Sequence, residues 1–387
     1  MHGFAMVEID VSERAKIRVG IIFGGRSAEH EISILSTRNV LEALDRSRFE
    51  PVLIGIDKTG RWLAQDEQKL LAGARDPRQA RIEAGMPLRI APALAAPVAS
   101  GAAAETRLDV VFPVLHGTLG EDGAMQGLLE VAGIPYVGAG VLGSAIGMDK
   151  DVMKRLLRDA KIPVAEFRTV RRDRFDADQR QLCGELATLG FPLFTKPANA
   201  GSSVGIRKVT SSEALQAGLL HAFEFDDKVI AEAAVVGREI ELAVLGGHPA
   251  TVSVAGEVVV NHRDGFYSYD AKYLDEHGAR LELPARISTG DLSRAQSLAL
   301  RAFDVLECEG MARVDLFLRE DGEFLVNEIN TIPGFTAISM YPKLWALSGI
   351  PPTELVSRLI DLALQRGGRR AAIGRSFFST LSEGATP

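Results

Sequence analysis

Two carboxylates, an arginine and an asparagine stand at alternate positions near residue 320 and could together bind a metal ion. Arg313 and Asp315 are separated by one residue, and Glu328 and Asn330 repeat that spacing a short distance further on. Carboxylate and amide oxygens suit Mg²⁺, whose coordination is usually completed by waters and substrate phosphates. These residues are therefore candidate ligands of a magnesium-dependent site.

The segments that carry these residues predict a β-hairpin. Both alternate between apolar and polar residues, and an Asp-Gly pair at 321–322 lies between them. If that pair forms a two-residue loop, Asp315 faces Glu328 and Arg313 faces Asn330 on one side of the hairpin. The carboxylates would lie about 5 Å apart and repel by roughly 3 kcal/mol at an effective dielectric near 20. Either a cation compensates, or this is an ordinary surface hairpin with solvated charges.

A glycine- and serine-rich loop at 198–205 is a candidate phosphate site. It follows a predicted strand that ends at Lys196. Glycines let the backbone approach a ligand closely, so that amides and hydroxyls can bind an anion, and Lys196 could reach phosphates as a point charge. The loop lacks the Gly-Lys-Ser/Thr ending of a Walker A motif. The alternative is a plain turn.

Three further groups are candidates by position. Glu31 and His116 follow predicted strands of an α/β region, at the strand ends where such sheets bind ligands, although each could equally be a solvated side chain. The aromatic loop 264–273, which ends in Lys272 and Tyr273, is either a surface loop or a lid that excludes water. Gly-x-Gly-x-x-Gly is absent after the first strand, which disfavours a Rossmann dehydrogenase.

Composition excludes several classes of protein. The chain has 387 residues, 46% hydrophobic and 25% charged, with a net charge of −7, which argues against general attraction to nucleic acid or anionic membranes. Cys183 and Cys308 lie far apart and show no disulfide framework or zinc spacing. No signal peptide and no apolar run of membrane-spanning length is apparent, so a cytoplasmic location is expected.

The order of predicted elements indicates an α/β and α+β protein with several domains. Alternating strands and helices favour an open parallel sheet at the N-terminus, and the later segments favour two smaller α+β units. The expected divisions are an N-terminal extension 1–15, an α/β domain 16–148 with an irregular excursion 70–106, a central domain 149–235, a C-terminal domain 236–366 with a lid loop 264–276, and a tail 367–387.

Six ordered motifs resemble those of D-alanine:D-alanine ligases of the ATP-grasp superfamily, over nearly all of 17–364. They are GGRSAEHEIS at 24–33, HGTLGEDG at 116–123, MDK at 148–150, KPANAGSSVG at 196–205, YSYDAKY at 267–273, and RVDL at 313–316 with NEINTIPGFT at 327–336. The resemblance implies a three-domain ATP-grasp architecture, with ATP between the central and C-terminal domains and two D-alanine molecules at the junction of all three.

The resemblance also implies roles for residues. ATP would contact Lys150, Lys196, Ser202, Ser203, Glu232, Glu239, Asn327 and Glu328, and two Mg²⁺ ions, replaceable by Mn²⁺, would be held by Asp315, Glu328 and Asn330. Substrates would contact Glu31, His116, Lys272, Ser339 and Met340. The catalytic group would be Glu31, Ser202, Tyr273, Arg313 and Gly334, with Arg313 and the Gly334 amide at the oxyanion. One departure is Ala233 after Glu232, where relatives often have a lysine near adenine.

The implied reaction joins two D-alanines through a D-alanyl phosphate, releasing ADP and phosphate, for peptidoglycan precursor synthesis. Within the enzyme class the alternative is a D-alanine:D-lactate or D-serine ligase. From another class, the chain could be a nucleotide-binding regulator that does not catalyse. A homodimer is expected by resemblance only.

Overall fold

The computed structural model describes residues 16–73, 76–89, 98–99, 108–261 and 278–373. The predicted lid loop, with Lys272 and Tyr273, lies outside the described residues. Within the described part, no helix combines the length and apolar composition needed to cross a membrane.

The N-terminal region contains the predicted open parallel sheet. Its elements are β1 (Ile17–Gly24), α1 (His30–Ala43), β2 (Phe49–Ile56), β3 (Trp62–Ala64), α2 (Glu67–Ala72), β4 (Leu88–Arg89), β5 (Val98–Ala99), β6 (Val110–Val114), α3 (Ala124–Ala132) and α4 (Val141–Met148). The strand order is β3-β2-β1-β6, with β1 parallel to both β2 and β6 and β3 antiparallel at the edge. The central strands are apolar and buried on both faces, as expected of a parallel sheet.

The second sheet follows helix α5 and is antiparallel. Its elements are α5 (Lys150–Asp159), β7 (Phe167–Arg171), α6 (Arg172–Ala177), α7 (Gln179–Ala187), β8 (Leu193–Pro197), β9 (Arg207–Val209), α8 (Ser212–Ala222) and β10 (Lys228–Ala233). The strand order is β7-β10-β8-β9. A separate core, which includes Phe175, Leu193 and Leu215, packs beneath it.

The third sheet carries the hairpin that sequence analysis singled out. Its elements are β11 (Gly237–Gly246), β12 (Ala250–Val260), β13 (Ala279–Glu282), α9 (Thr289–Val305), β14 (Gly310–Arg319), β15 (Phe324–Asn330), α10 (Met340–Leu347) and α11 (Pro352–Ala371). All its pairs are antiparallel, in the order β13-β12-β11-β14-β15. Strand β12 is absent from the sequence prediction.

The hairpin register is confirmed at the predicted site and wrong at the turn. Arg313 faces Asn330 and Asp315 faces Glu328, as predicted. The loop, however, has three residues, 320–322, and Gly322 takes a left-handed φ of +82°, as in three-residue hairpins. The pairing then shifts by one residue between Asp315 and Leu316, which indicates a β-bulge that returns the strands to the expected register.

The predicted C-terminal tail begins too early. Helix α11 continues to Ala371, and Arg366 within it is buried. Its guanidinium donates hydrogen bonds to the carbonyl oxygens of Gly138 at 2.6 Å and Tyr136 at 2.7 Å, and it lies over the Tyr136 ring. These contacts attach the helix to the N-terminal region. The helix continues through the glycine pair at 367–368.

Candidate active site

Three carboxylates form a row across one face of the third sheet. Glu241 on β11 pairs with Asp315 on β14, which pairs with Glu328 on β15. Directly opposed residues share a face, so the three side chains project to the same side. We call these residues the carboxylate row. Opposite this face, the apolar residues of β14 pack into a core that includes Val314 and Leu316.

Arg313 neutralises part of the carboxylate row. Its guanidinium donates two hydrogen bonds of 2.7 Å to Asp315, and its Nε lies 3.0 Å from Glu241 Oε2. Although burial acts to lower the pKa of Arg313, the charges of Asp315 and Glu241 raise it well above its usual range. A permanently charged guanidinium is therefore held in place by two acids.

A cavity of about 80 Å³ lies above Arg313, between the first and third sheets. Most of its walls come from N-terminal loops, the sheet face and the segment after β15. The lining residues are Glu29, Ile32, His116, Glu121, Ser202, Glu241, Leu281, Arg313, Asn330, Ile332, Pro333, Gly334, Thr336, Ile338, Ser339 and Met340. Seven of the candidate site residues therefore line one cavity: His116, Ser202, Arg313, Asn330, Gly334, Ser339 and Met340.

Glu31 is not part of this cavity. Its carboxylate lies 2.6 Å from Lys58 Nζ in a separate open cleft that is also lined by His30 and Asp57. Although burial opposes the effect, the hydrogen bond with Lys58 lowers the pKa of Glu31. The carboxylate that reaches the cavity is Glu29, which immediately precedes helix α1 and is 5% exposed. Glu29 therefore replaces Glu31 in the candidate site.

A second acid, Glu121, shares the cavity with Glu29. A Cβ built on Gly201 would lie 2.8 Å from Glu29 Oε1 and 3.6 Å from Glu121 Oε1, so both carboxylates approach the same point of the loop. The Gly117 amide donates a 2.8 Å hydrogen bond to Glu121. Burial, and then the charge of Glu29, raise the pKa of Glu121 to about 8. Near neutral pH the Glu121 carboxyl is therefore mostly protonated.

The raised pKa of Glu121 predicts a pH-dependent stability. Its ordinary value is 4.5, so between that pH and about 8 the folded protein retains a proton that the unfolded chain has released. Stability therefore falls as pH rises through this window. Glu121→Gln keeps the oxygen that accepts from Gly117 and removes the ionisation, so the variant is expected to gain about 1–3 kcal/mol over wild type near pH 8. Urea unfolding at pH 5 and pH 8 measures the difference.

The matched control is Glu320→Gln, at an exposed position of the hairpin loop. It is expected to follow the wild-type stability at both pH values. An equal gain for Glu121→Gln at pH 5 and pH 8 would contradict the assignment of the pH dependence to Glu121.

His116 lines the cavity as a neutral, positioned side chain. Its Nδ1 lies 3.1 Å from the carbonyl oxygen of Ile332, so Nδ1 carries the proton, and Nε2 accepts from the Ser36 hydroxyl at 3.0 Å. Burial lowers the pKa of His116 to about 4. Ser36 also accepts from the Phe335 amide at 3.3 Å. His116 therefore bonds to the chain two residues before Gly334, and Ser36 bonds to it one residue after. Together they fix the position of the Gly334 amide, which is the predicted oxyanion donor.

The glycine-serine loop has the backbone of an anion site. Ser202 and Ser203 have φ of +47° and +61°, a left-handed conformation that non-glycine residues adopt infrequently. Such conformations turn successive amides toward one side, where they can bind phosphate oxygens. Lys150 Nζ donates to the Ala200 carbonyl at 2.7 Å and lies 3.5 Å from Glu328. Lys150 thereby links this loop to the carboxylate row.

Lys196 and Glu232, both predicted ATP contacts, are paired with each other. Glu232 is buried, with Lys196 Nζ at 2.5 Å and Lys154 Nζ at 2.7 Å. Burial acts to raise the pKa of Glu232, but the charges of the two lysines lower it to about 2. Lys154 also donates to the carbonyl of Asn327 at 3.1 Å, so the trio joins the second and third sheets where ATP is expected.

The remaining predicted residues occupy the same face or its edge. Glu239 is half-buried on β11, two residues before Glu241 and therefore on the same face. The Thr336 amide donates to Ser339 Oγ at 2.9 Å, which folds the segment after β15 over the cavity and places Met340 at the start of α10.

The donor set fits magnesium. Asp315, Glu328 and Asn330 supply oxygen ligands on adjacent strands, and the Asn330 amide donates to Asp315 at 3.0 Å. Among the described residues no group of three or more His, Cys, Asp or Glu side chains is arranged to hold a metal unaided. Mg²⁺ commonly binds one or two carboxylates together with substrate phosphates, and Asp315 and Glu328 are chemically suited to that role.

Four charged residues of the site were not predicted. Glu29 and Glu121 lie inside sequence motifs that were already noted. Glu241 follows Glu239 by two residues on a strand, so the two-residue repeat of a strand face could have indicated Glu241. Lys154 gives no comparable signal, because a lysine on an amphipathic helix usually faces solvent.

The three sheets, with a candidate phosphate loop on the second and candidate oxygen ligands on the third, define an ATP-grasp architecture. Residues 18–139 match the sequence model described as D-ala D-ala ligase N-terminus, and residues 156–361 match that of D-ala D-ala ligase C-terminus. The chain belongs to the D-alanine–D-alanine ligase family.

Several relatives match almost the whole chain. D-alanine--D-alanine ligase A of Chromobacterium violaceum is 52% identical over 365 residues, covering 93% of this chain and 99% of that protein. The Escherichia coli K12 protein of the same name is 49% identical, covering 91% and 96%. Among solved structures, the D-alanine-D-alanine ligase from Coxiella burnetii superposes with a TM-score of 0.78 at 38% identity, covering 92% and 96%. The VanG D-Ala:D-Ser ligase from Enterococcus faecalis gives 0.78 at 35%, covering 90% and 100%.

Proposed function

We propose that this chain is an ADP-forming ligase that joins two D-alanine molecules through a D-alanyl phosphate. The observation that carries this proposal is the single cavity that holds an arginine, a candidate oxyanion amide and an acid, beside the phosphate loop and the oxygen ligands. Residues for phosphoryl transfer and for acyl transfer are adjacent there. Family membership and relatives near 50% identity support the same reaction.

The first step requires positioning and charge neutralisation rather than a protein nucleophile. The carboxylate of the first D-alanine attacks the γ-phosphorus of ATP, and ADP leaves. Glu29 would bind the ammonium of this D-alanine, while Lys150 and Lys196 would bind phosphates. Asp315, Glu328 and Asn330 would hold two Mg²⁺ ions, which neutralise charge on the transferred phosphoryl group when bound.

The second step is acyl transfer. The neutral amine of the second D-alanine attacks the acyl carbon, which forms the C–N bond and a tetrahedral oxyanion. Collapse of this intermediate breaks the C–O bond to phosphate, and the nitrogen gives up a proton that leaves with the phosphate. Arg313 and the Gly334 amide would stabilise that oxyanion, and Ser339 and Met340 would contact the second D-alanine. Because water would hydrolyse the acyl phosphate, we propose that loop 264–276, with Lys272 and Tyr273, closes over the cavity.

The finer biological setting is also proposed. We infer a cytoplasmic enzyme that supplies a peptidoglycan precursor and forms a homodimer, with domains over 16–148, 149–235 and 236–371. The family relatives support the reaction itself, and light scattering tests the dimer.

The function is tested by phosphate release from ATP with a panel of D- and L-amino acids and D-lactate. Release is expected with D-alanine and Mg²⁺, with D-alanyl-D-alanine as the product by mass spectrometry. Release with D-lactate or D-serine only as the second substrate would instead assign the depsipeptide or D-Ser class. Unchanged turnover in Glu328→Gln would contradict the proposed metal site. Absence of phosphate release by wild type with every substrate of the panel would restore the non-catalytic regulator.

A further inference from the structure

A glycine on the neighbouring strand continues the line of the carboxylate row beyond Glu241, on the side away from Asn330. Gly256 on β12 is directly opposite Glu241 on β11, and Glu241 is opposite Asp315. The face that carries the candidate metal ligands on β14 and β15 therefore continues to a position without a side chain on β12. What lies over that position decides the shape of this end of the cavity.

The side chain of Met340 occupies the space above Gly256. A Cβ built on Gly256 would lie 2.6 Å from Met340 Sδ and 3.0 Å from Met340 Cε, and 2.9 Å from Leu283 Cδ2. Contacts this short do not occur between real side chains, so Met340 depends on the missing Cβ. Met340 is 3% exposed and lines the cavity. Met340 can take this position only because residue 256 has no side chain.

An added methyl group would displace Met340 toward the cavity. Met340 belongs to a buried core that includes Tyr341 and Leu344, which are fully buried, so the core offers it little free space. Methionine is unbranched and changes shape readily, so its thioether is the group that yields. The cavity is the space that its side chain borders, and it is small, at about 80 Å³. A displaced thioether would therefore take up volume meant for substrate.

We propose that Gly256 determines acceptor specificity by setting the position of Met340, and so the room available to the side chain of the second D-amino acid. The inference rests on the proposed function, in which Met340 contacts the second substrate. Gly256 touches no substrate itself. It is a specificity-determining residue that acts through Met340.

The first test is the kinetics of Gly256→Ala. The KM for the second D-alanine is expected to rise roughly tenfold, in line with overpacking of a closed site, while the KM for the first changes less than about twofold. Phosphate release over a wide range of D-alanine concentrations separates the two values. The matched control is Gly247→Ala, between the same two strands, where an added Cβ has no atom within 4 Å; it is expected to behave as wild type.

The second test changes Met340 itself. Met340→Ala is expected to lower the preference for D-alanine over D-2-aminobutyrate as acceptor by about tenfold, because one methylene in an apolar pocket is worth about that much. In the Met340→Ala background, Gly256→Ala is expected to have little further effect on the acceptor KM. Such loss of effect shows that Gly256 acts through Met340.

The outcomes separate the inference from the proposed function. Absence of D-alanyl-D-alanine formation by wild type overturns the proposed function, and the inference with it. With an active wild type, an equal effect of Gly256→Ala in both backgrounds, or an effect confined to the first D-alanine, overturns the inference alone. If Gly256→Ala fails to fold, folding of the double variant supports the overlap with Met340, and failure of both overturns it.

Discussion

Replacing Glu29 by Gln is expected to lower kcat/KM for D-alanine by about 100- to 1000-fold. Removing one partner of a buried ion pair costs about 3–5 kcal/mol, and each 1.4 kcal/mol is about tenfold. Glu29 is 5% exposed and lines the cavity with Arg313. A substrate ammonium bound there would lose its anionic partner, whereas ATP binding would change little. Steady-state phosphate release measures both.

The matched control is Glu31→Gln, two residues away. Glu31 pairs with Lys58 in a different cleft, so this variant is expected to retain wild-type kcat/KM within about threefold, as surface pairs contribute little. The reverse result, a large loss for Glu31→Gln and a small one for Glu29→Gln, would restore Glu31 as the ammonium ligand.

The neighbouring Glu121 adds a pH signature to the same variant. The charge of Glu29, after burial, is a cause of the raised pKa of Glu121. In Glu29→Gln that charge is gone, so Glu121 ionises at lower pH and can supply the missing negative charge. The defect is therefore expected to shrink between pH 6 and about 8. A defect that is constant with pH would exclude this compensation.

The local sequence pattern predicted the presence of the hairpin and its opposed carboxylates. An Asp-Gly pair between alternating segments located the turn, and the opposed carboxylates are confirmed at Asp315 and Glu328. The details of the pairing were not predictable. The loop has one residue more than predicted, which shifts the strand pairing by one, and the bulge shifts it back by one. Neither the third loop residue nor the bulge has a separate signal in the sequence.

Position along the chain was not sufficient to choose between Glu29 and Glu31. The choice depends on where helix α1 begins, and a difference of two residues there reverses which acid faces the cavity. Contacts between residues far apart in the sequence could not be predicted either. Glu121 meets Glu29 only because β6 lies beside β1, and Arg366 is held by carbonyl groups at Tyr136 and Gly138, far away in sequence.

Replacing Arg313 by Lys is expected to lower kcat by about 100- to 1000-fold, the typical cost of losing one oxyanion donor. Arginine has five donors in a planar fork, so it can remain bonded to Asp315 and Glu241 and still present an N–H to the cavity. A lysine ammonium has a single point of charge, which these two acids would bind. The variant therefore keeps the charge of the site but lacks the directed donor, and the KM for ATP should change much less than kcat.

Arg319→Lys is the control for this substitution, because Arg319 lies on the same strand with its side chain 44% exposed and paired with Asp321 and Glu323. It is expected to keep wild-type kcat within about twofold. Thermal unfolding of both variants separates a loss of donor from a loss of folding. A kcat near wild type in a folded Arg313→Lys would show that charge alone is sufficient, and the oxyanion role would then pass to the Gly334 amide, which Ser36 and His116 hold in place.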